Sequence, residues 1–320
     1  MKLVEVIEPE ERVTLVVGIA EHWFDPRLSW NPKKYGNISK FNIRQDKVWS
    51  PTLTAFEVNE LVDFRDQDFR MVGVESTGHV YTRVTALLSI NCAMRVSRFP
   101  FDSQTCQIKF CVPIFYASEV EVLNEIYHGI ANKSSWSRMG NSEWKLVNLT
   151  NRVDMLTYND DGFGSLELAV FEFKVRRNPL YYIYMIVFPS FIINTLSIIG
   201  VFMKNSDTMS KLNVGLTNIM TMTFILGVMA DMIPKSGSIP LLGVYIIVNL
   251  FIMIVAVGVT IGILELRKCA VPRLVKRKNK QSDRLLCFMG DPLETTCAIL
   301  LELLTIINFT MMIVIWLTDS

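Results

Sequence analysis

Four stretches of this chain carry no Asp, Glu, Lys or Arg: Asn178 to Met203, Leu212 to Ala230, Ser236 to Leu264 and Leu303 to Thr318. Each of the first three supplies the ~20 apolar residues that cross ~30 Å of hydrocarbon, whereas the last has sixteen and must run back through Glu302. They predict four membrane helices, over residues 180–203, 211–233, 240–265 and 294–317. A chain that is 50% hydrophobic and 20% charged is too apolar for an ordinary soluble protein, and the excess falls after Arg177. Residues 1–177 and 178–320 are therefore expected to form separate domains.

Lysine and arginine set the orientation. The connection between the third and fourth spans, RKCAVPRLVKRKNKQSDR, holds eight basic residues and one Asp, so the short segment 267–291 is expected in the cytoplasm and both termini outside, in a multi-pass plasma-membrane protein. Three sequons, at Asn37, Asn132 and Asn148, fall in the portion this topology places outside, as surface glycosylation requires. No signal peptide stands at the start, and one is expected to have been removed or to fall outside this numbering.

The same topology sorts the cysteines. Cys92 and Cys106 lie in the oxidising exterior, where a disulfide persists and would contribute about 3 kcal/mol by restricting the unfolded chain. The loop it closes displays an oily tip, Phe99-Pro100-Phe101-Asp102, which something must receive. Cys111 is an odd thiol expected to be buried in a strand. Cys269 and Cys287 flank the cytoplasmic run and should be reduced, and Cys297 falls in the fourth helix.

Before Arg177 the pattern changes to short runs of period two. In FEFKV, Phe171, Phe173 and Val175 point to one face and Glu172 and Lys174 to the other, the mark of a half-buried strand. Similar runs, KLVEVI, TRVTALLSI and TCQIKFCV, are separated by turn-forming stretches such as NDDGFG and together predict an all-β sandwich outside the membrane. His22, His79 and His128 lack metal-ligand spacing, and no Ser/His/Asp or Cys/His constellation stands out, which argues against an enzyme. Nothing calls for a cofactor or for nucleic acid.

The second span is unlike the others. At about 100° per residue, Asn213, Thr217, Met220, Phe224, Gly227 and Asp231 fall within about 40° of one line. Ile219, Met222, Ile225, Leu226 and Met229 occupy the opposite face, although Asn218 lies there too. Two readings are open: a polar stripe buried between helices of one subunit, or the lining of a pore. In the second reading Asn213 and Thr217 offer hydrogen-bonding rings to a permeant ion, Met220 and Phe224 form an apolar gate that closes by dewetting, and Asp231 adds an outer acidic ring. Pro189 in the first span frees a backbone carbonyl and predicts a kink.

The disulfide-closed FPFD loop, the β-rich first half, the four spans and the polar second span, in that order, resemble a subunit of the Cys-loop pentameric ligand-gated ion channel family. WFDPRLSW (23–30), VWSP (48–51), RRNPLYY (176–182) and DMIPKSGSIPLLGVY (231–245) are similar to stretches in the matching places of nicotinic-type subunits. The resemblance implies a homo- or hetero-pentamer in membrane lipid, gated by a small-molecule agonist. It also implies that Phe99, Pro100 and Phe101 couple the two domains by meeting the connection from Pro234 to Pro240, beside Arg177. A hairpin tip packed into its own domain is the alternative. The agonist would lie between neighbouring subunits, in a site to which this chain brings Phe56 and Phe115, with Tyr158 and Phe163 from the late loop TYNDDGFGS. At two further positions of the family's aromatic box the chain has Gly18 and Pro113, and the late loop lacks paired cysteines, so acetylcholine is not implied.

Ion selectivity is set, by the same resemblance, near the inner end of the second span. Here Ser210 precedes Lys211, and Asp207 with the spacing from Val201-Phe202 to Lys211 resembles the cation branch, whereas Thr221-Met222-Thr223 is closer to the anion branch. A cation-conducting subunit is the expectation. An anion-selective channel of the same family and an accessory subunit that conducts only with partner chains are the alternatives.

Overall fold

The period-two runs form two antiparallel sheets. The structure, a computed structural model, describes residues 1–319 other than 128–135, 137, 158–163, 204–206, 235–237 and 276–279, and only the backbone of 264, 266–293 and 319. One sheet runs β1 (Lys2–Ile7), β2 (Arg12–Phe24), β7 (His79–Asn91), β6 (Met71–Glu75), β3 (Lys40–Arg44), with β5 (Val58–Asp63) also pairing β7. The other runs β4 (Thr54–Phe56), β8 (Ser103–Cys111), β10 (Leu166–Arg177), β9 (Trp144–Leu156). Together they make the β-sandwich. Alternate residues fill its core: Val13, Leu15 and Val17 of β2, Ala86, Leu88 and Ile90 of β7, and Ile108 and Phe110 of β8 are all buried. β2 pairs β7 without a break from Arg12↔Asn91 to Phe24↔His79, so both strands keep the same face inward.

The run FEFKV forms the later part of β10. Phe173 and Val175 are buried and Lys174 exposed as alternation predicts. Leu168 and Val170, on the opposite face, are buried too, in a cluster with Cys111 against which Phe56 and Leu156 pack. The strand opens with LELAVF, apolar on both faces, and so takes cover on both; only its later part is half-buried. Cys92 and Cys106 form the disulfide, while Cys111 is a buried free thiol whose pKa burial pushes up.

Four helices long and apolar enough to cross a membrane follow. These are α1 (Leu180–Val201), α2 (Thr208–Met232), α3 (Leu241–Val275) and α4 (Lys280–Asp319), with apolar spans in the last two at Leu241–Ile263 and Glu294–Thr318. α1 packs against the other three, and α3 against α2 and α4. Ile198 and Val201 of α1 meet Ile252, Met253 and Ala256 of α3 and Leu301 of α4 in a shared core. In α1 the turn Ile183–Val187, just before Pro189, widens to π-helix, where the proline interrupts the regular hydrogen-bond ladder. By its contacts the chain divides into two compact units: Met1–Arg95 with Ser103–Arg177, and Asn178–Ser320 with the loop segment Val96–Asp102.

Polar side chains buried in a membrane bundle must find partners in it. Asn218 of α2 donates to Asn194 Oδ1 of α1 at 3.1 Å, Asn194 donates to Thr305 Oγ1 of α4 at 3.2 Å, and Thr305 donates to the Leu301 carbonyl at 3.0 Å. All three side chains are buried. This relay explains Asn218, the polar residue that spoiled the apolar face in the sequence. A second set joins Tyr245 of α3 to the Val187 carbonyl at 3.2 Å and Asn308 of α4 to Asn249 Oδ1 at 3.1 Å.

Replacing the middle member, Asn194→Leu, strands the amide of Asn218 and is expected to lower stability by about 1–2 kcal/mol, measured as thermal or denaturant unfolding in detergent. An unchanged midpoint would show that the relay contributes nothing. Cys106→Ser removes the loop-closure term of about 3 kcal/mol and is expected to abolish surface assembly, read by surface biotinylation.

Candidate functional site

α2 has two unlike faces. Gly215, Asn218, Met222 and Met229 are buried against the other helices, with Ile219, Ile225 and Leu226 half-buried beside them. Gly215 is needed for close approach, since a Cβ there would stand 2.3 Å from Val257 Cγ2 of α3. Asn213, Thr217, Met220, Phe224, Gly227 and Asp231 are all exposed, Met220 at 73% and Phe224 at 72%. The stripe is therefore not buried between helices of its own subunit. At the start of the helix Asp207 and Ser210 are exposed and Lys211 half-buried, its N–H bonded to the Asp207 carbonyl at 3.1 Å.

The oily loop tip is buried, Phe99 at 2% and Phe101 at 8% exposed, and so are Pro100 and Asp102. It belongs to the same compact unit as the helices. The backbone N–H groups of Leu241 and Leu242, which open α3, donate to the carbonyls of Ser97 and Phe99 at 3.1 Å each. These are first-turn donors with no partner inside their own helix, so the tip caps the third membrane helix with main-chain oxygens. Phe99 also meets Tyr182 of α1 edge to face, with centroids 4.7 Å apart. Pro234, just past α2, is buried.

Arg177 ends β10 and is buried in the sandwich unit. Its guanidinium bonds Glu8 at 2.8 Å and Glu143 at 2.5 Å and lies 4.1 Å over the Trp144 ring. Burial pushes the Glu8 carboxyl up, against the pull of Arg177. The partners Glu8, Glu143 and Trp144 lie far from Arg177 in the chain, and only the pairing of β9 with β10, which sets Trp144 opposite Arg177, exposes the connection.

Among the described residues, the two expected to meet an agonist, Phe56 and Phe115, fall in different clusters. Phe56 packs on the Cys111, Leu168 and Val170 cluster, beside the ion pair of Lys109 with Glu57. Phe115 instead meets Trp49 at 6.0 Å, and Trp49 meets Trp23 at 6.4 Å, a run of three rings. Gly18 has open space where a side chain would stand, and Pro113 is exposed. Tyr158 and Phe163 lie outside the described residues, as does Asn132. Asn37 and Asn148, the other two sequon asparagines, are exposed.

Comparison with known proteins closes the question of ancestry. The family model for the neurotransmitter-gated ion-channel ligand binding domain matches residues 1–179. The chain is 28% identical over 265 residues to the neuronal acetylcholine receptor subunit beta-3 of Rattus norvegicus, covering 82% of this chain and 55% of that one. It is 26% identical over 269 residues to the neuronal acetylcholine receptor subunit alpha-2 of Homo sapiens (82% and 49%) and 28% identical over 274 residues to ligand-gated ion channel 4 of Caenorhabditis elegans (83% and 41%). The chain thus spans about half the length of the curated relatives it matches. With the disulfide-closed loop, the sandwich and the four membrane helices already in place, the chain belongs to the neurotransmitter-gated, Cys-loop ion-channel family, in its nicotinic-receptor-like branch.

Proposed function

We propose that this chain is a subunit of a ligand-gated cation channel, in which five copies or five related chains surround a pore lined by α2. One observation carries the reading: in a chain of a channel family, the stripe from Asn213 to Asp231 is left uncovered by its own subunit. Hydrogen-bonding rings of Asn213 and Thr217 serve a partly dehydrated ion, and rings of Met220 and Phe224 close the pore by dewetting. Asp207 and Asp231 concentrate cations at the two mouths, with Ser210 and Lys211 beside the inner one. The sandwich and both termini face outside, and 267–291 faces the cytoplasm.

Agonist binds between neighbouring subunits, where this chain contributes Phe56 and Phe115 with Tyr158 and Phe163. Motion there reaches the membrane through Arg177, the Phe99-Pro100-Phe101 tip and the connection that begins at Pro234. The bonds from Leu241 and Leu242 to the tip support this route. Gly18 and Pro113 remove two aromatic walls, which favours a second reading: an accessory subunit that needs a partner chain to hold agonist. Current from cells expressing this chain alone, under a screen of ligands, separates the two.

An apolar ring excludes water only while it stays apolar. Met220→Ser is expected to give leak current without ligand, and a silent mutant with normal surface expression would move the gate elsewhere.

Neutralising both mouths, Asp207→Asn with Asp231→Asn, is expected to lower cation conductance roughly twofold or more at ~0.01 M salt, where the Debye length is ~30 Å, and far less at ~1 M, where it is ~3 Å. A reversal potential that follows chloride in the unaltered channel would refute cation selectivity.

A further inference from the structure

The buried face of α2 is built mostly from side chains that resist rotation poorly. It comprises Gly215, Asn218, Met222 and Met229, flanked by the half-buried Ile219, Ile225 and Leu226. Gly215 brings α2 close to α3 but has no side chain to oppose turning, and methionine is an unbranched, adaptable filler that specifies position weakly. Asn218 is different. Its amide donates to Asn194 Oδ1 at 3.1 Å, and among the described residues this is the one side-chain hydrogen bond that joins α2 to another helix. Thr221 and Thr223 turn their hydroxyls back on α2 itself, to the carbonyls of Thr217 and Ile219 at 2.9 and 2.8 Å.

What Asn218 finds at Asn194 is decided one helix further away. Asn194 and Thr305 are both 0% exposed, so each must be satisfied within the bundle. The Thr305 hydroxyl gives its proton to the Leu301 carbonyl at 3.0 Å and is left with acceptor capacity alone. Asn194 must then turn its NH2 toward Thr305, at 3.2 Å, which leaves its Oδ1 facing Asn218. α4 packs against α1 and α3, and this line of three side chains carries its influence on to α2. At about 100° per residue, Met229 lies about 20° round the helix from Asn218, Gly227 about 180° and Met220 about 200°. A tie at Asn218 therefore keeps Met229 inward and the stripe outward.

We propose that Thr305 is a positioning residue for the channel: from α4 it sets the orientation of the Asn194 amide and, through Asn218, the rotation of α2 that turns the stripe toward the pore. This role rests on the reading of α2 as the pore lining. Without the hydroxyl, Asn194 has no acceptor to hold its NH2 and is free to flip, and Asn218 loses the fixed acceptor that keeps α2 from turning.

The test places a reporter cysteine on either side of α2 in the full chain at the cell surface: Gly227→Cys, where a Cβ meets open space, or Met229→Cys, at a position 4% exposed. A membrane-impermeant biotinylating methanethiosulfonate is applied from outside, and labelling is read against the parent chain, whose Cys92 and Cys106 are bonded and whose Cys111 is buried. The stripe reporter is expected to react far faster than the buried one. Thr305→Val should slow the stripe reporter and speed the buried one, narrowing their ratio about threefold or more, the scale of one buried hydrogen bond. Thr305→Ser keeps the hydroxyl and should retain the parent ratio. Asn218→Leu should narrow the ratio as Thr305→Val does, with little further change when the two are combined. An unchanged ratio in Thr305→Val, an equal loss in Thr305→Ser, or faster labelling at both positions, which is general loosening of the bundle, overturns the assignment. A stripe reporter that fails to react in the parent chain instead overturns the pore lining, and this role with it.

Discussion

Helices in hydrocarbon gain little from hiding apolar surface, because lipid tails are as apolar as leucine. Which face of a helix turns inward is then decided by close packing and by the polar groups that cannot be left to lipid. In α2 both act on the same side. Gly215 lets the backbone approach α3, and Asn218 joins the relay through Asn194 to Thr305. With that side committed to its own subunit, the side bearing Met220 and Phe224 is left uncovered. The relay also runs in one direction, each group donating to the next and the last to a helix carbonyl, so each amide's orientation is set by its neighbour.

The disulfide loop follows a comparable logic. Its base is in the sandwich, where Gln104 bonds both the N–H and the carbonyl of Arg95 at 2.9 and 3.1 Å. Its tip belongs with the helices and supplies carbonyls to the first turn of α3. Two phenylalanines that would be a liability in water are buried, and the carbonyls of Ser97 and Phe99 satisfy donors that a helix start leaves unpaired. Apolar burial holds the tip in place, and hydrogen bonding fixes what it meets.

The strands, the four spans, the disulfide and the two faces of α2 could be read from residue spacing because period two, period 3.6 and charge-free length are local properties. The aromatics expected to meet an agonist were legible only as positions. Phe56 and Phe115 sit in different clusters, and nothing in their spacing says so. The partners of Arg177 were not legible at all, since Glu8 and Glu143 reach it from distant parts of the chain and only strand pairing brings them together. The run FEFKV was legible, but the cover on both faces at the start of β10 was not, because alternation reports which residues are apolar and not how many neighbours arrive to cover them.

By itself the sequence determined that this chain crosses a membrane four times, that a sandwich precedes the crossings and that the second helix carries a polar stripe, since each follows from residues close together in the chain. Only the tertiary structure decided that the stripe is uncovered, that Asn218 is a tie between helices, and that the loop tip caps α3. Each of these depends on which distant groups meet, and that is settled by desolvation and packing over the whole fold rather than by any local spacing.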